Sequence, residues 1–177
     1  RLEKEGFTRG DLEHPRPQDR LFAFAYDWRR DAVLTAQLLA ERLDAVRARQ
    51  GVHKLRLALI CQSNGGQICR YLARFGAAGL AAAEAGELGP PSQLEIEHLV
   101  LVGSAAGGSL RILREIHRGR SYIGVVGRKI QPEVLFSIPA LFQDLPVVRP
   151  DLFLGADGEP LDVDLFDAEA WRRHGWS

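Results

Sequence analysis

Short apolar runs alternate with helical stretches, and this alternation constrains the fold more than any other feature of the chain. The runs are residues 21–26, 55–60 and 96–102. Their length and lack of alternating polar residues are typical of buried strands in a parallel sheet. Apolar residues recur with helical spacing from Asp31 to Gly51, and a second helical stretch covers residues 67–75. The pattern predicts an α/β fold with a parallel sheet, flanking helices and the strand 55–60 in the middle.

The pattern changes after Leu110. A helical stretch at 111–118 is followed by helix-like spacing at 132–145 and by an Asp157-Gly158 turn signal, with no strand long enough to join a sheet. We therefore predict a core at residues 1–110 and a C-terminal cap or lid segment at 111–177. Residues 76–91 are rich in Ala, Gly and Glu and end in two prolines, which predicts a loop or a frayed helix.

Charge and composition exclude several classes of function. The chain has 23 Lys and Arg against 23 Asp and Glu, interspersed, so we expect no nucleic-acid partner. No apolar run approaches the roughly 18 residues of a membrane span, so no integral membrane segment is expected.

Two cysteines, Cys61 and Cys69, are too few for a disulfide framework or a four-ligand zinc site. They are predicted to be packed and inert, in a reducing, cytoplasmic compartment.

No metal or cofactor is predicted. Gly103 and Gly108 have the glycine spacing of a phosphate loop, but Ser109-Leu110 follows where Lys and Ser or Thr are required. The aspartates near the C-terminus lack the spacing of a calcium loop. Both segments are therefore interpreted as loops without a ligand.

Cys61-Gln62-Ser63-Asn64-Gly65 lies between the second predicted strand and the following helix. It differs from the G-x-S-x-G nucleophile elbow only in its first residue. In such a turn the Ser63 hydroxyl projects above the sheet edge, and the N–H of Asn64 supplies half of an oxyanion hole. Gly65 is predicted to be required because the turn leaves no room for a side chain. The alternative is a serine in an ordinary strand-to-helix turn.

Several segments together resemble the lecithin:cholesterol acyltransferase-like family of the α/β-hydrolase superfamily. They are Tyr26-Asp27-Trp28-Arg29, the elbow with its flanks from Leu59 to Tyr71, and Leu-Val-Gly-Ser-Ala-Ala-Gly-Gly-Ser at 101–109. Residues 137–146, 157–161 and 171–176 resemble the cap segment that precedes the triad acid in that family. The resemblance implies a partial α/β-hydrolase fold. It also implies a serine-dependent acyltransferase, lipase or esterase that acts on small-molecule or lipid esters through an acyl-enzyme on Ser63.

The chain departs from the family pattern at the elbow and in its catalytic set. Family members usually have Gly-His-Ser-Met-Gly at the elbow, and many have Pro where this chain has Ala105. Their order is Ser, Asp, His, with the oxyanion loop upstream, so we expect that loop before Arg1 and the acid and base beyond Ser177.

The histidines are the remaining candidates for a base. His14, His53, His98 and His117 are interpreted as structural or solvated. His174 follows several aspartates in a permitted order, but its Trp-Arg-Arg-His-Gly-Trp setting matches the cap. The competing hypothesis is a non-catalytic or truncated α/β-hydrolase-like module that lacks a complete triad.

Overall fold

A computed structural model describes residues 2–86, 93–121, 128–146 and 152–176. The chain is a mixed α/β structure with small parallel sheets and flanking helices. It divides into two compact units, Arg1–Ser104 and Ala105–Ser177, whereas the sequence pattern placed the boundary at residue 110. Each unit has its own cluster of buried apolar residues.

The first unit contains one long helix, two shorter helices and two pairs of strands. Its elements after a 3-10 helix at Leu2–Glu5 are β1 (Arg9–Gly10), β2 (Leu21–Phe22), α1 (Ala32–Gln50), β3 (Leu55–Gln62), α2 (Gly65–Phe75), α3 (Leu80–Glu84) and β4 (Leu94–Val102). Within the segment predicted as a loop or frayed helix, α3 is a short helix, and residues 87–92 lie outside the described residues.

The limits of α1 follow from its end residues. The Asp31 carboxylate accepts hydrogen bonds from the N–H groups of Val33 at 2.6 Å and Leu34 at 3.3 Å, which satisfies two donors of the first turn. Gly51 ends the helix in the left-handed conformation at φ 68°, as its position in the sequence predicted. The buried face of α1 includes Ala36 and Val46 and contacts α2 and β3.

The strands β3 and β4 form a parallel pair that runs from Leu55 opposite Leu94 to Gln62 opposite Val102. The register shifts once, between Leu57 and Ala58. The core beside this pair consists of buried aliphatic side chains from α1, α2 and the strand starts, including Leu39, Leu43, Val46, Leu55, Ile68, Leu72 and Leu94. The predicted parallel pairing of these two strands is confirmed.

The prediction that residues 21–26 form the third adjacent strand is wrong. β2 covers only Leu21–Phe22 and pairs in parallel with β1, so among the described residues β3 has β4 as its one strand partner. The physical reason is one-sided burial. Phe24 and Tyr26 pack partly buried against the first core, while Ala23 and Ala25 between them are exposed. An apolar run with small exposed residues does not require a sheet on both sides.

The second unit consists of short elements. They are α4 (Leu110–Arg118), β5 (Arg120–Ser121), β6 (Lys129–Ile130), α5 (Pro132–Leu135), α6 (Pro139–Gln143), β7 (Phe153–Leu154), β8 (Pro160–Leu161) and α7 (Ala168–Arg173). The pairs β5–β6 and β7–β8 are antiparallel. The predicted helix at 132–145 is two helices, because Pro139 forces Ile138 into an extended conformation.

The core of the second unit is built around Trp171, which is 3% exposed. Its ring contacts the rings of Phe136, Phe142 and Trp176, and its indole N–H donates to the carbonyl oxygen of Leu165 at 2.7 Å. None of the helices within the described ranges is both long enough and apolar enough to cross a membrane.

Candidate active site at the Ser63 turn

Only Ser63 and Asn64 connect the end of β3 at Gln62 to the start of α2 at Gly65. The Ser63 N–H donates to the carbonyl oxygen of Val102 on β4 at 3.0 Å, and the Gly66 N–H donates to the carbonyl oxygen of Ser63 at 3.0 Å. The turn is therefore fixed both to the neighbouring strand and to the helix. This geometry confirms the predicted sharp strand-to-helix turn.

Ser63 has a φ of 52°, and it is the one non-glycine residue with a positive φ in the part of the chain that the structure describes. A side chain in this left-handed region costs roughly 1–2 kcal/mol, because Cβ approaches the following carbonyl oxygen. Ser63 is also exposed. A strained, exposed serine at a turn is typical of a functional position.

Asn64 presents an available backbone donor beside the Ser63 hydroxyl. Within the described residues its N–H donates no hydrogen bond, and it lies directly before the 11-residue helix α2. The Asn64 side-chain oxygen accepts a hydrogen bond from the Tyr26 hydroxyl at 3.3 Å. The free N–H and the positive end of the helix dipole would together stabilise a negatively charged oxygen.

At Gly66 a neighbouring residue comes too close to leave room for a side chain. A Cβ on Gly66 would overlap both Cβ and Oγ of Ser104, the second residue after β4. A Cβ on Gly65 would meet only the Tyr26 hydroxyl, at 3.5 Å. The sequence-based assignment of this requirement to Gly65 is therefore wrong by one residue, because the Ser104 side chain approaches the buried side of the first helical turn at Gly66.

A disulfide bond joins Cys61 to Cys69, with 6.5 Å between their Cα atoms. Both cysteines are buried, as predicted, but they are not free thiols in a reducing environment, because a disulfide bond joins them. Cys61 lies two residues before Ser63 on a strand that rises about 3.3 Å per residue. Cys69 lies four residues after Gly65 on a helix that rises about 1.5 Å per residue. Both cysteines are thus a similar distance from the turn, and this spacing is the sequence signal that a cysteine count misses.

An apolar cavity of about 790 Å³ lies beside the turn within the first unit. Its walls include Phe24 and Tyr26 on one side and Leu57 of β3 on the other, and it reaches Gln62 and Gly65 at the turn. Its volume is in the range of cavities that bind small organic ligands. The cavity is lined by the residues on either side of Ser63 and Asn64, at Gln62 and Gly65.

The histidines all make other contacts or are exposed. His14 lies 3.6 Å from the Asp11 carboxylate, His117 Nδ1 lies 3.2 Å from the carbonyl oxygen of Trp176, and the His174 ring stacks on the Trp176 ring. His53 and His98 are exposed. Among the described residues of the first unit, no histidine is hydrogen-bonded to the Ser63 hydroxyl, so no base is assigned there.

Asp27 and Arg29, which follow Tyr26, form a two-point ion pair. Arg29 Nε and Nη2 donate to the two oxygens of Asp27 at 2.8 Å each, and the Arg29 N–H donates to Oδ1 at 3.1 Å. Hydrogen bonds from the Arg29 side chain and backbone lower the pKa of Asp27 to about 2. The pair fixes the bend that follows the Tyr26 segment.

The described residues contain no group of three or more His, Cys, Asp or Glu side chains that could hold a metal ion. Comparison with protein-family models, with curated proteins and with solved structures finds no match to this chain. Function is therefore argued from the turn and its surroundings.

Proposed function

We propose that this chain is the nucleophile-bearing part of a serine-dependent acyltransferase, lipase or esterase with a partial α/β-hydrolase fold of the lecithin:cholesterol acyltransferase-like type. The observation that carries the proposal is Ser63, which is exposed and left-handed at the turn between a parallel strand and a helix. The resemblance of Tyr26-Asp27-Trp28-Arg29 and of the elbow segment supports the choice of family.

In the proposed reaction, Ser63 Oγ attacks the carbonyl carbon of an ester, and the Ser63 proton passes to a base. The electron pair of the carbonyl bond moves to oxygen, where the Asn64 N–H stabilises it. Collapse of this intermediate breaks the bond to the alcohol oxygen, which takes the proton from the base, and leaves an acyl group on Ser63. Water or a second alcohol then accepts the acyl group. The apolar cavity beside Gln62 and Gly65 favours a hydrophobic acyl group.

A fluorophosphonate probe with mass-spectrometric mapping tests the proposal. In a protein that contains the proposed acid and base, Ser63 should react at least about tenfold faster than Ser137. Without a positioned base both serines should label slowly, because a serine hydroxyl is then a weak nucleophile. Ser137 is a matched control, since it is exposed but its hydroxyl donates to the Val134 carbonyl oxygen in the turn that follows α5. Ser63→Ala should remove the fast label and leave that of Ser137 unchanged.

The competing function is a non-catalytic α/β-hydrolase-like module. Two observations favour it: Gln62 and Cys61 replace the usual elbow residues, and no histidine among the described residues of the first unit is hydrogen-bonded to Ser63. Equal labelling rates at Ser63 and Ser137 in a protein that contains the proposed acid and base would reject the catalytic proposal in favour of this module.

A further inference from the structure

The Cys61–Cys69 disulfide closes a covalent loop around the Ser63 turn. Cys61 is the second-last residue of β3, and Cys69 lies in the second turn of α2, so the bond joins the strand that enters the turn to the helix that leaves it. The eight-residue separation includes Ser63 and Asn64. Both sulfur-bearing residues are buried, with 4% and 6% of their surface exposed.

Hydrogen bonds also hold the turn within the described residues. Three are backbone bonds of 3.0 Å, from Ser63 to Val102, from Gly66 to Ser63 and from Gln67 to Asn64. Two longer bonds run from the Tyr26 hydroxyl to the Asn64 side chain at 3.3 Å and from the Ser104 hydroxyl to the Cys61 carbonyl oxygen at 3.4 Å. The helix itself is held by packing of Ile68 and Leu72, which are 2% and 0% exposed. Breaking the disulfide should therefore leave α2 in place and release mainly the strained residue.

We propose that the Cys61–Cys69 bond is a redox-controlled clamp that holds Ser63 in its left-handed conformation. Reduced cysteines are small apolar side chains that tolerate burial, so both states can fold. The evidence for the clamp is the position of the disulfide bond on both sides of the turn. Only its consequence for reactivity rests on the proposed function of Ser63.

The clamp closes by thiol–disulfide exchange with a small disulfide such as oxidised glutathione. One cysteine thiolate attacks a glutathione sulfur, which releases one glutathione thiolate and forms a mixed disulfide. The second cysteine thiolate then attacks the protein sulfur of that bond and releases the second glutathione. Two protein thiols are oxidised, one glutathione disulfide is reduced, and the two thiol protons pass to the released glutathione thiolates. Reduced glutathione reverses both steps.

Hydrogen exchange of the Ser63 and Gly66 amides tests the clamp, because both amides are hydrogen-bonded within the turn. In the oxidised protein they should exchange at least about tenfold more slowly than in the reduced protein, whereas amides in the middle of α1 should not change. Cys69→Ala should exchange like the reduced protein in either glutathione buffer. Equal exchange in the two oxidation states of the unmodified chain would overturn the clamp. Alkylation of both thiols after equilibration with oxidised glutathione would also overturn it.

Two further readouts separate the clamp from the proposed function. Ser63→Ala keeps both cysteines, so its Gly66 amide should show the same redox-dependent exchange as the parent protein. If that exchange difference is present while Ser63 labels no faster than Ser137, the clamp stands and the nucleophile proposal fails. If Ser63 labels fast but the Gly66 amide exchanges at the same rate in both oxidation states, the nucleophile proposal stands and the clamp fails.

Discussion

Ser63 holds a conformation that a side chain opposes, so its local stability and its proposed role conflict. The φ of 52° suits glycine, yet the position carries an exposed serine directly before Asn64, whose N–H donates no hydrogen bond within the described residues. Glycine would hold this left-handed turn without strain. The strain at Ser63 is therefore the residue-level argument for function.

Replacing Ser63 by Gly should relieve the strain. We expect Ser63→Gly to be more stable than Ser63→Ala by about 0.5–1 kcal/mol, since relief of left-handed strain exceeds the entropy that glycine gains in the unfolded chain. Urea denaturation followed by circular dichroism measures the difference. If the alanine variant is equally or more stable, Ser63 is not strained.

The Asp27–Arg29 pair gives a pH-dependent prediction. The folded pKa of Asp27 is about 2, below its ordinary 3.8, so the pair adds stability above about pH 4 and loses it as the pH falls towards 2. Arg29→Gln should raise the pKa of Asp27 towards 3.8, as measured by NMR titration of the carboxyl carbon. Arg30→Gln is the matched control and should change that pKa much less, because Arg30 makes the smallest contribution.

At the scale of elements, local signals could be predicted from the sequence and long-range pairing could not. Asp31 and Gly51 define α1 through contacts within a few residues, so its limits are readable from the sequence. The partner of residues 21–26 is set by distant backbone, and β2 instead pairs with β1. The sequence also indicates Gly65 and not Gly66 as the glycine without room for a side chain. The reason is the same, because Ser104, which Gly66 contacts, is far from it in sequence.

The contact of Gly66 with Ser104 predicts an element-level effect. Gly66→Ala should destabilise the protein by about 1–3 kcal/mol, because the new methyl group overlaps Ser104 and α2 must move away from β4. Gly65→Ala is the control and should be neutral or stabilising, since alanine favours a helix and meets only one ordinary contact. Thermal unfolding measures both.

The double variant Gly66→Ala, Ser104→Gly identifies the cause of this loss. It should recover part of the stability, because the atoms that the new methyl group meets are removed. No recovery, or an equal loss from Gly65→Ala, would show that the first turn of α2 is not packed against Ser104.

The described residues form two core clusters that share no buried residue, one around Leu39, Val46 and Leu72 and the other around Trp171. The first carries the Ser63 turn, and the second belongs to the segment that resembles a cap. The disulfide within the first unit also removes the cysteine-count argument for a reducing compartment. Stability of the turn should therefore depend on the first core.

Truncation of Trp171 tests this separation. Trp171→Ala should destabilise the second unit by about 3–5 kcal/mol, because it removes a buried ring that contacts three other aromatic rings and leaves the Leu165 carbonyl oxygen without its donor. Hydrogen exchange should accelerate in α4 and α6, while the amides of β3 and α2 keep their protection. Leu72→Ala is the complementary change, since Leu72 is 0% exposed in the first core, and it should accelerate exchange in β3 and α2 instead. If either variant accelerates hydrogen exchange in both units, the chain is a single cooperative structure, and the Ser63 turn depends on the second core as well.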